Sequence, residues 1–155
     1  MVKCIDNEIL TETSERAKGS PRLRMNYNFH ELSDPVQRML NAIEPESYIS
    51  PHRHSEPEKM ELFLVLRGRG AVIIFDDAGR VTDTYILEVG GDTLGVEIPP
   101  GVWHSILSLE EGTVFFEVKD GPYIAATDKD FAPWAPAPGD ESVQSYLKEL
   151  EDMVE

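Results

Sequence analysis

The sequence has 155 residues, with 14 Lys and Arg against 29 Asp and Glu and a formal net charge of −15. This length suits a single domain, and 41% hydrophobic residues exclude global disorder. The acidic balance argues against nucleic acid as a partner, because phosphate backbones are bound by clustered cations. There is no stretch of roughly 20 apolar residues and the first ten residues carry charges, so we expect a cytoplasmic protein with no membrane partner.

Two helices are predicted in residues 1 to 46, which we interpret as a helix, strand and helix extension packed on the main domain. Asp6 is placed as the N-cap of a helix over 6 to 18, with Gly19 after its end. Asp34 followed by Pro35 has the form of an N-cap and a first-turn proline. Apolar residues then recur at helical spacing, which predicts a second helix over 34 to 43.

Between these helices, residues 22 to 30 alternate as a strand does. The apolar face carries Leu23, Met25, Tyr27 and Phe29. The opposite face is wholly polar and carries Arg22, Arg24, Asn26, Asn28 and His30. We predict a homodimer, because a small barrel would leave such an apolar strand face uncovered.

Residues 47 to 123 contain short β-branched and aromatic runs separated by turn residues. Runs spaced about 8 to 12 residues apart, with no helical pattern between them, indicate an antiparallel sandwich or barrel rather than a parallel sheet. Residues 124 to 155 are predicted to form a Pro-rich connection and a docked amphipathic helix over 141 to 154. The predicted fold class is therefore all-β, with short helices near both ends.

Three of the four histidines lie in two short motifs, PHRH at 51 to 54 and PPGVWH at 99 to 104. His52 and His54 leave the same face of an extended chain, and a neighbouring strand can bring His104 opposite them. Glu61 begins the next strand and offers a carboxylate. Each histidine alone is better explained as a surface or core residue, but together they predict one divalent transition metal: iron, manganese, nickel or zinc.

These motifs resemble those of the cupin superfamily, through PHRH, through Glu61 with Gly68, and through PPGVWH. The resemblance implies a jelly-roll β-barrel with a metal bound by His52, His54, Glu61 and His104. The separation of His54 from Glu61 is longer than in the usual motif, so counting from the histidines would select Glu58 instead. We prefer Glu61, because a loop tolerates insertion at small entropic cost while a strand has a fixed pitch.

Longer segments, from SPRLRMNYNFH to DFAPWAP, resemble the WbuC family of cupin-fold metalloproteins. They span roughly residues 20 to 136. That family is often associated with bacterial surface-polysaccharide gene clusters. The resemblance implies a fold and a metal, but it does not imply a reaction.

The polar strand face is the candidate substrate-binding surface, made of Arg22, Arg24, Asn26, Asn28 and His30. Two arginines on one face can bind a carboxylate or phosphate bidentately, which predicts a small anionic ligand. The alternatives are that the arginines protect a sheet edge in solvent and that His30 is a capping residue. We assign no catalytic residue, although Lys119 becomes a candidate base if it faces the cavity.

Three functions fit these residues. The first is a metal-dependent enzyme acting on a sugar-like or sugar-phosphate-like anion in surface-polysaccharide metabolism. The second is a binding or sensory module that uses the metal without turnover. The third is an iron-dependent dioxygenase. The cupin fold supports all three kinds of function, so the fold cannot decide between them.

Overall fold

The computed structural model describes residues 1 to 154, which form two five-stranded antiparallel sheets with a helix near each end. The elements in chain order are α1 (Asn7–Lys18), β1 (Arg24–Asn28), β2 (Val36–Ile43), β3 (His52–Arg53), β4 (Glu61–Arg67), β5 (Arg69–Phe75), β6 (Val81–Glu88), β7 (Gly95–Ile98), β8 (Trp103–Ser108), β9 (Val114–Asp120), β10 (Asp130–Phe131) and α2 (Val143–Val154). The strand orders are β1-β2-β9-β4-β7 and β10-β3-β8-β5-β6. The predicted antiparallel sandwich with flanking helices is confirmed.

The second predicted helix, over residues 34 to 43, is wrong. This segment is strand β2, which pairs with β1 on one side and with β9 on the other. Both faces of β2 are covered, since Leu40 packs with α1 while Met39 faces the space between the sheets. A strand with two covered faces carries apolar residues on both of them. In β2 these residues happen to be spaced as they would be on one side of a helix.

Helix α1 begins where the sequence indicates, because the Asp6 side chain accepts a hydrogen bond from the backbone N of Ile9 at 3.1 Å. The helix packs on the outer face of the first sheet. Its contacts there include the apolar residues of the β1 segment, Met25, Tyr27 and Phe29. Helix α1 thus covers part of the strand face from which the homodimer was predicted, and these residues are half-buried. The homodimer stays a prediction.

Helix α2 packs on the outer face of the second sheet, as the amphipathic pattern predicts. Leu147 and Leu150 are buried there in one cluster with residues of β5 and β8. Within residues 1 to 154, neither helix combines the length and the apolar character that crossing a membrane requires. The division into units of 1 to 46, 47 to 123 and 124 to 155 stays a prediction.

Apolar side chains fill part of the space between the two sheets. Phe115 and Val72 are fully buried there, in a cluster that also contains Phe63 and Ile106. Phe63 and Ile106 also border a cavity whose remaining lining is largely polar. The core therefore closes one part of the barrel and leaves a polar cavity in the other part.

Candidate metal centre and cavity

Three histidines and one carboxylate converge between the two sheets. His52 on β3 lies directly opposite His104 on β8, His54 follows β3, and Glu61 begins β4 in the facing sheet. One donor atom from each of the four residues lies within 4.8 Å of the others, and all four side chains are buried. The set predicted from the sequence is therefore brought together by the fold.

The imidazole rings are oriented by the backbone. Each Nδ1 faces a carbonyl oxygen, which can only accept a hydrogen bond, so Nδ1 carries the proton and Nε2 keeps a lone pair. The Nδ1 partners are Ser50 O for His52 at 2.9 Å, Val102 O for His104 at 2.9 Å, and Asp128 O for His54. All three rings thus present Nε2 as a ligand atom.

The convergent atoms lack hydrogen-bond partners among the described residues. Nε2 of His54, Nε2 of His104 and Oε2 of Glu61 are buried and unpaired. Oε2 nevertheless lies 3.1 Å from the first nitrogen and 2.7 Å from the second. At these separations a proton or a shared cation has to lie between the oxygen and each nitrogen. The mixed nitrogen and oxygen set fits a divalent transition metal.

The electrostatics keep these groups in the protonation states that a metal requires. Burial alone would raise the pKa of Glu61, but contacts with His104 and His54 outweigh it and hold that pKa well below its usual range. Burial, reinforced by His104, lowers the pKa of His52 well below its usual value. The site therefore favours a carboxylate and a neutral imidazole.

Glu61, rather than Glu58, lies with the histidines. Glu58 is exposed in the loop before β4, where it forms an isolated bridge with Ser55. The longer separation between His54 and Glu61 is thus taken up by this loop.

We expect Glu61→Gln to weaken binding of a divalent metal by at least about tenfold, because an amide is a poorer ligand than a carboxylate. Glu58→Gln is the matched control and should bind as the wild type does. Zinc titration of both variants tests this expectation. Equal affinities in the two variants would remove Glu61 from the ligand set.

A cavity of about 430 Å³ adjoins the cluster, and His52 and Glu61 form part of its wall. All five predicted substrate-binding residues line this cavity: Arg22, Arg24, Asn26, Asn28 and His30. The polar strand face therefore borders the cavity, with His30 buried, Arg24 half-buried, and Arg22, Asn26 and Asn28 exposed. Its role in substrate binding stays a prediction.

The two arginines and the histidine of this face differ in their surroundings. Arg22 is exposed at the rim, whereas Arg24 donates a hydrogen bond to Tyr48 O at 2.9 Å. Burial, together with Arg22, lowers the pKa of Arg24 to about 10, so the guanidinium stays charged at neutral pH. His30 is tied to β2, because its Nδ1 lies 2.8 Å from the backbone N of Arg38. Its capping interpretation is thus also supported.

The cavity contains two further charged residues: Glu117, which the sequence analysis did not name, and Lys119, which it named as a candidate base if it faces the cavity. Glu117 and Lys119 lie on β9, and both are buried. Lys119 Nζ lies 3.1 Å from Asp128 Oδ2 and 4.0 Å from Glu61 Oε1. The sequence feature that could have predicted this is strand alternation: Glu117 and Lys119 lie on the same face of β9 as the core residue Phe115, so they point inward.

Burial and the neighbouring charges shift the pKa values of Glu117 and Lys119. Burial, helped by the charge of Glu61, raises the pKa of Glu117 to about 8. Burial alone would lower the pKa of Lys119, but Glu117, Glu61 and Asp128 raise it above its usual value. Lys119 is therefore a buried ammonium, held chiefly by the Asp128 carboxylate at 3.1 Å.

Cationic side chains outnumber carboxyl groups in the cavity lining, whereas acidic residues outnumber basic ones in the chain as a whole. Four cationic side chains face three carboxyl groups, in a protein of net charge −15: Arg22, Arg24, Lys119 and Lys129 against Glu61, Glu117 and Asp128. A bound divalent cation would add to this excess. The cavity is thus the electrostatically favourable place for an anion in an otherwise acidic molecule.

An antiparallel jelly roll with a buried three-histidine, one-glutamate cluster inside it defines a metal-binding cupin. The chain belongs to the family described as Domain of unknown function (DUF6016), whose sequence profile matches residues 5–87. No curated protein matches the sequence. The WbuC resemblance stays a prediction.

Solved structures share the fold. The capsular polysaccharide assembling protein CapF from Staphylococcus aureus is 25% identical with a TM-score of 0.56, over 72% of this chain and 32% of that chain. A mutant of Bacillus subtilis oxalate decarboxylase OxdC is 23% identical with a TM-score of 0.52, over 70% of this chain and 27% of that chain. KdgF from Halomonas sp. is 15% identical with a TM-score of 0.50, over 66% of this chain and 82% of that chain. The chain thus spans about a third of CapF.

Proposed function

We propose that the chain is a metal-dependent enzyme acting on a small anionic substrate of the sugar or sugar-phosphate type. One observation carries this proposal: a single cavity is bordered by the metal-ligand cluster, by the polar strand face that contains Arg24, and by two buried ionisable side chains, Glu117 and Lys119. Surface-polysaccharide metabolism is the proposed context, supported by the likeness to CapF, a capsular polysaccharide assembling protein, and by the WbuC resemblance. We further propose a cytoplasmic homodimer.

His52, His54, Glu61 and His104 are the proposed ligands of one divalent ion: iron, manganese, nickel or zinc. When bound, such an ion acts as a Lewis acid that polarises a substrate oxygen. The barrel contributes rigidity to this site, because the backbone carbonyls fix the imidazole rings through Nδ1.

Arg24 is the proposed anchor for the substrate carboxylate or phosphate. Its guanidinium is held by the Tyr48 carbonyl and keeps its charge at neutral pH, so it is oriented before a ligand arrives. Arg22 adds positive charge at the exposed rim. Asn26 and Asn28 offer hydrogen bonds on the same face, and His30 shapes the cavity beside them.

Glu117 and Lys119 are the proposed proton-transfer pair. Both line the cavity on the same face of β9, next to Glu61. A carboxyl group in this position can take a proton from bound substrate or return one to it. The Lys119 ammonium, held by Asp128 at 3.1 Å, stabilises negative charge that develops on the substrate.

This lining favours an enzyme over a plain binding module, for which an apolar pocket is the simpler design. The proposal is tested by incubating the metal-loaded protein with a panel of sugar acids and sugar phosphates in D₂O. Mass spectrometry should detect deuterium entering at least one compound, or its conversion. Binding of panel compounds without exchange or conversion would support the binding module instead, and oxygen consumption by the iron form would support the dioxygenase.

We expect Arg24→Ala to weaken binding of inorganic phosphate and hexose 6-phosphates by at least about tenfold, because a charge-assisted hydrogen bond is lost. Metal content should stay at the wild-type level. Arg38→Ala is the matched control, since Arg38 is exposed and pairs with Asp34 at 2.9 Å. Calorimetric titration gives the comparison, and unchanged phosphate affinity in Arg24→Ala would contradict the anion site.

A further inference from the structure

Beside the anion site, strand β2 carries two buried carboxamides on its inward face. Gln37 and Asn41 both line the cavity and flank Met39 along the strand. Across the sheet, Asn41 pairs in register with Asn26 of β1, and Gln37 pairs with Lys119 of β9. Side chains opposite each other in an antiparallel pair are neighbours. The carboxamide wall, defined as Gln37, Asn41 and Asn26, therefore continues the face that bears Arg24.

Each buried carboxamide of β2 has an unpaired polar atom within the described part of the chain. Gln37 is 2% exposed and its Nε2 has no hydrogen-bond partner. Asn41 is 9% exposed; its Nδ2 donates to Glu117 Oε2 at 3.2 Å, while its Oδ1 has no partner. Buried polar groups are nearly always paired, so an unpaired donor and an unpaired acceptor in one cavity wall point to a ligand.

The chemistry of the two atoms defines what would pair them. Gln37 Nε2 offers a donor and Asn41 Oδ1 offers an acceptor, so the complementary ligand must both accept and donate. Hydroxyl groups do both. An alkyl chain would leave both atoms unpaired, and a second carboxylate would meet Oδ1 and the neighbouring Glu117 unfavourably.

We infer that the carboxamide wall is a hydroxyl-recognition subsite, so that the ligand is a polyhydroxylated phosphate or carboxylate whose anionic end lies at Arg24. This inference rests on the anion site of the proposed function and assigns Gln37 and Asn41 the task of selecting hydroxylated over aliphatic anions. Such selectivity is strong in general, because a ligand that lacks the hydroxyl leaves buried polar groups of the protein unpaired.

The test compares two probes that share a linear six-carbon chain and a phosphate, sorbitol 6-phosphate and hexyl phosphate. Calorimetric titration of the metal-loaded wild type should show at least about tenfold tighter binding of sorbitol 6-phosphate. Gln37→Met and Asn41→Leu should each reduce that preference about fivefold, at unchanged metal content. Gln144→Met, on the exposed side of α2, is the matched control and should keep the wild-type preference.

Equal binding of the two probes by the wild type would overturn the inference, and this comparison needs no variant to fold. A wild-type preference that persists in both β2 variants would also overturn it. Arg24→Ala distinguishes failure of the anion site from failure of the hydroxyl-recognition subsite. If it weakens both probes equally, the anion site stands whatever the fate of the subsite. If it weakens neither, the proposed anion site fails, and the inference fails with it.

Discussion

His104→Ala is expected to abolish stoichiometric metal binding, with a loss of at least about 100-fold in affinity. His104 is 1% exposed and its Nε2 lies 2.7 Å from Glu61 Oε2, so the change removes one of the three nitrogen donors from the centre of the buried cluster. The same change should remove the stabilisation that metal gives the wild type. That stabilisation is about 2.7 kcal/mol when the free metal is at 100 times its dissociation constant.

Zinc or manganese titration and thermal melting with and without metal measure both parts of this prediction. His30→Ala is the matched control, because His30 is a buried histidine that lines the same cavity outside the cluster. It should keep its metal and its metal-dependent rise in melting temperature. A His104→Ala protein that binds metal with wild-type affinity would contradict the site.

Glu117→Gln should lower the rate of deuterium exchange or turnover by about 100- to 10,000-fold while leaving metal content unchanged. The amide preserves the size of the side chain and its contact with Asn41, but it cannot take up and return a proton. Glu97→Gln is the matched control, since Glu97 is an exposed glutamate on β7. Glu117→Asp should recover part of the activity, because the carboxyl group is restored at a displaced position.

Full activity in Glu117→Gln would remove Glu117 from the proton-transfer step and leave Lys119 as the remaining candidate. An equal loss of activity and of metal would instead show that Glu117 acts only by supporting Glu61. The two measurements on one variant therefore distinguish a catalytic residue from a structural one.

Much of the metal-ligand cluster was predictable because its residues lie in short sequence segments with recognisable patterns. His52 and His54 share one face of a short extended segment, and the PPGVWH turn places His104 at the start of its strand. Glu61 followed from the fixed pitch of β4, which made the loop around Glu58 the natural place for extra residues. These features depend on chain geometry over a few residues, whereas the convergence of all four residues and the choice of Glu61 also rested on the resemblance to the cupin motifs.

Strand β2 was misread because its environment is not local. The Asp34 and Pro35 pair is a good helix start, yet β2 lies between β1 and β9 and hydrogen-bonds to both. Two ladders of hydrogen bonds and burial of Leu40 on one face and Met39 on the other outweigh the weak local preference. Burial on both faces cannot be read from the spacing of apolar residues alone.

For a related reason Glu117 was missed, and Lys119 was named only on the condition that it faces the cavity. Lys119 is the last inward residue of a strand, where a lysine normally reaches water, but the segment after β9 returns and places Asp128 against it. Asp128 also supplies the carbonyl that orients His54. A contact that joins a strand end, a loop and a metal ligand becomes visible only when the segments are assembled.

The central claim is that His52, His54, Glu61 and His104 hold one divalent ion beside an anion-binding cavity. The most direct test is elemental analysis of the wild-type protein and of His104→Ala, each loaded with iron, manganese, nickel or zinc and freed of excess metal. We predict about one ion per chain in the wild type for at least one of these metals, and almost none in the variant. A wild type that retains none of the four metals, or a variant that retains as much as the wild type, would contradict the claim.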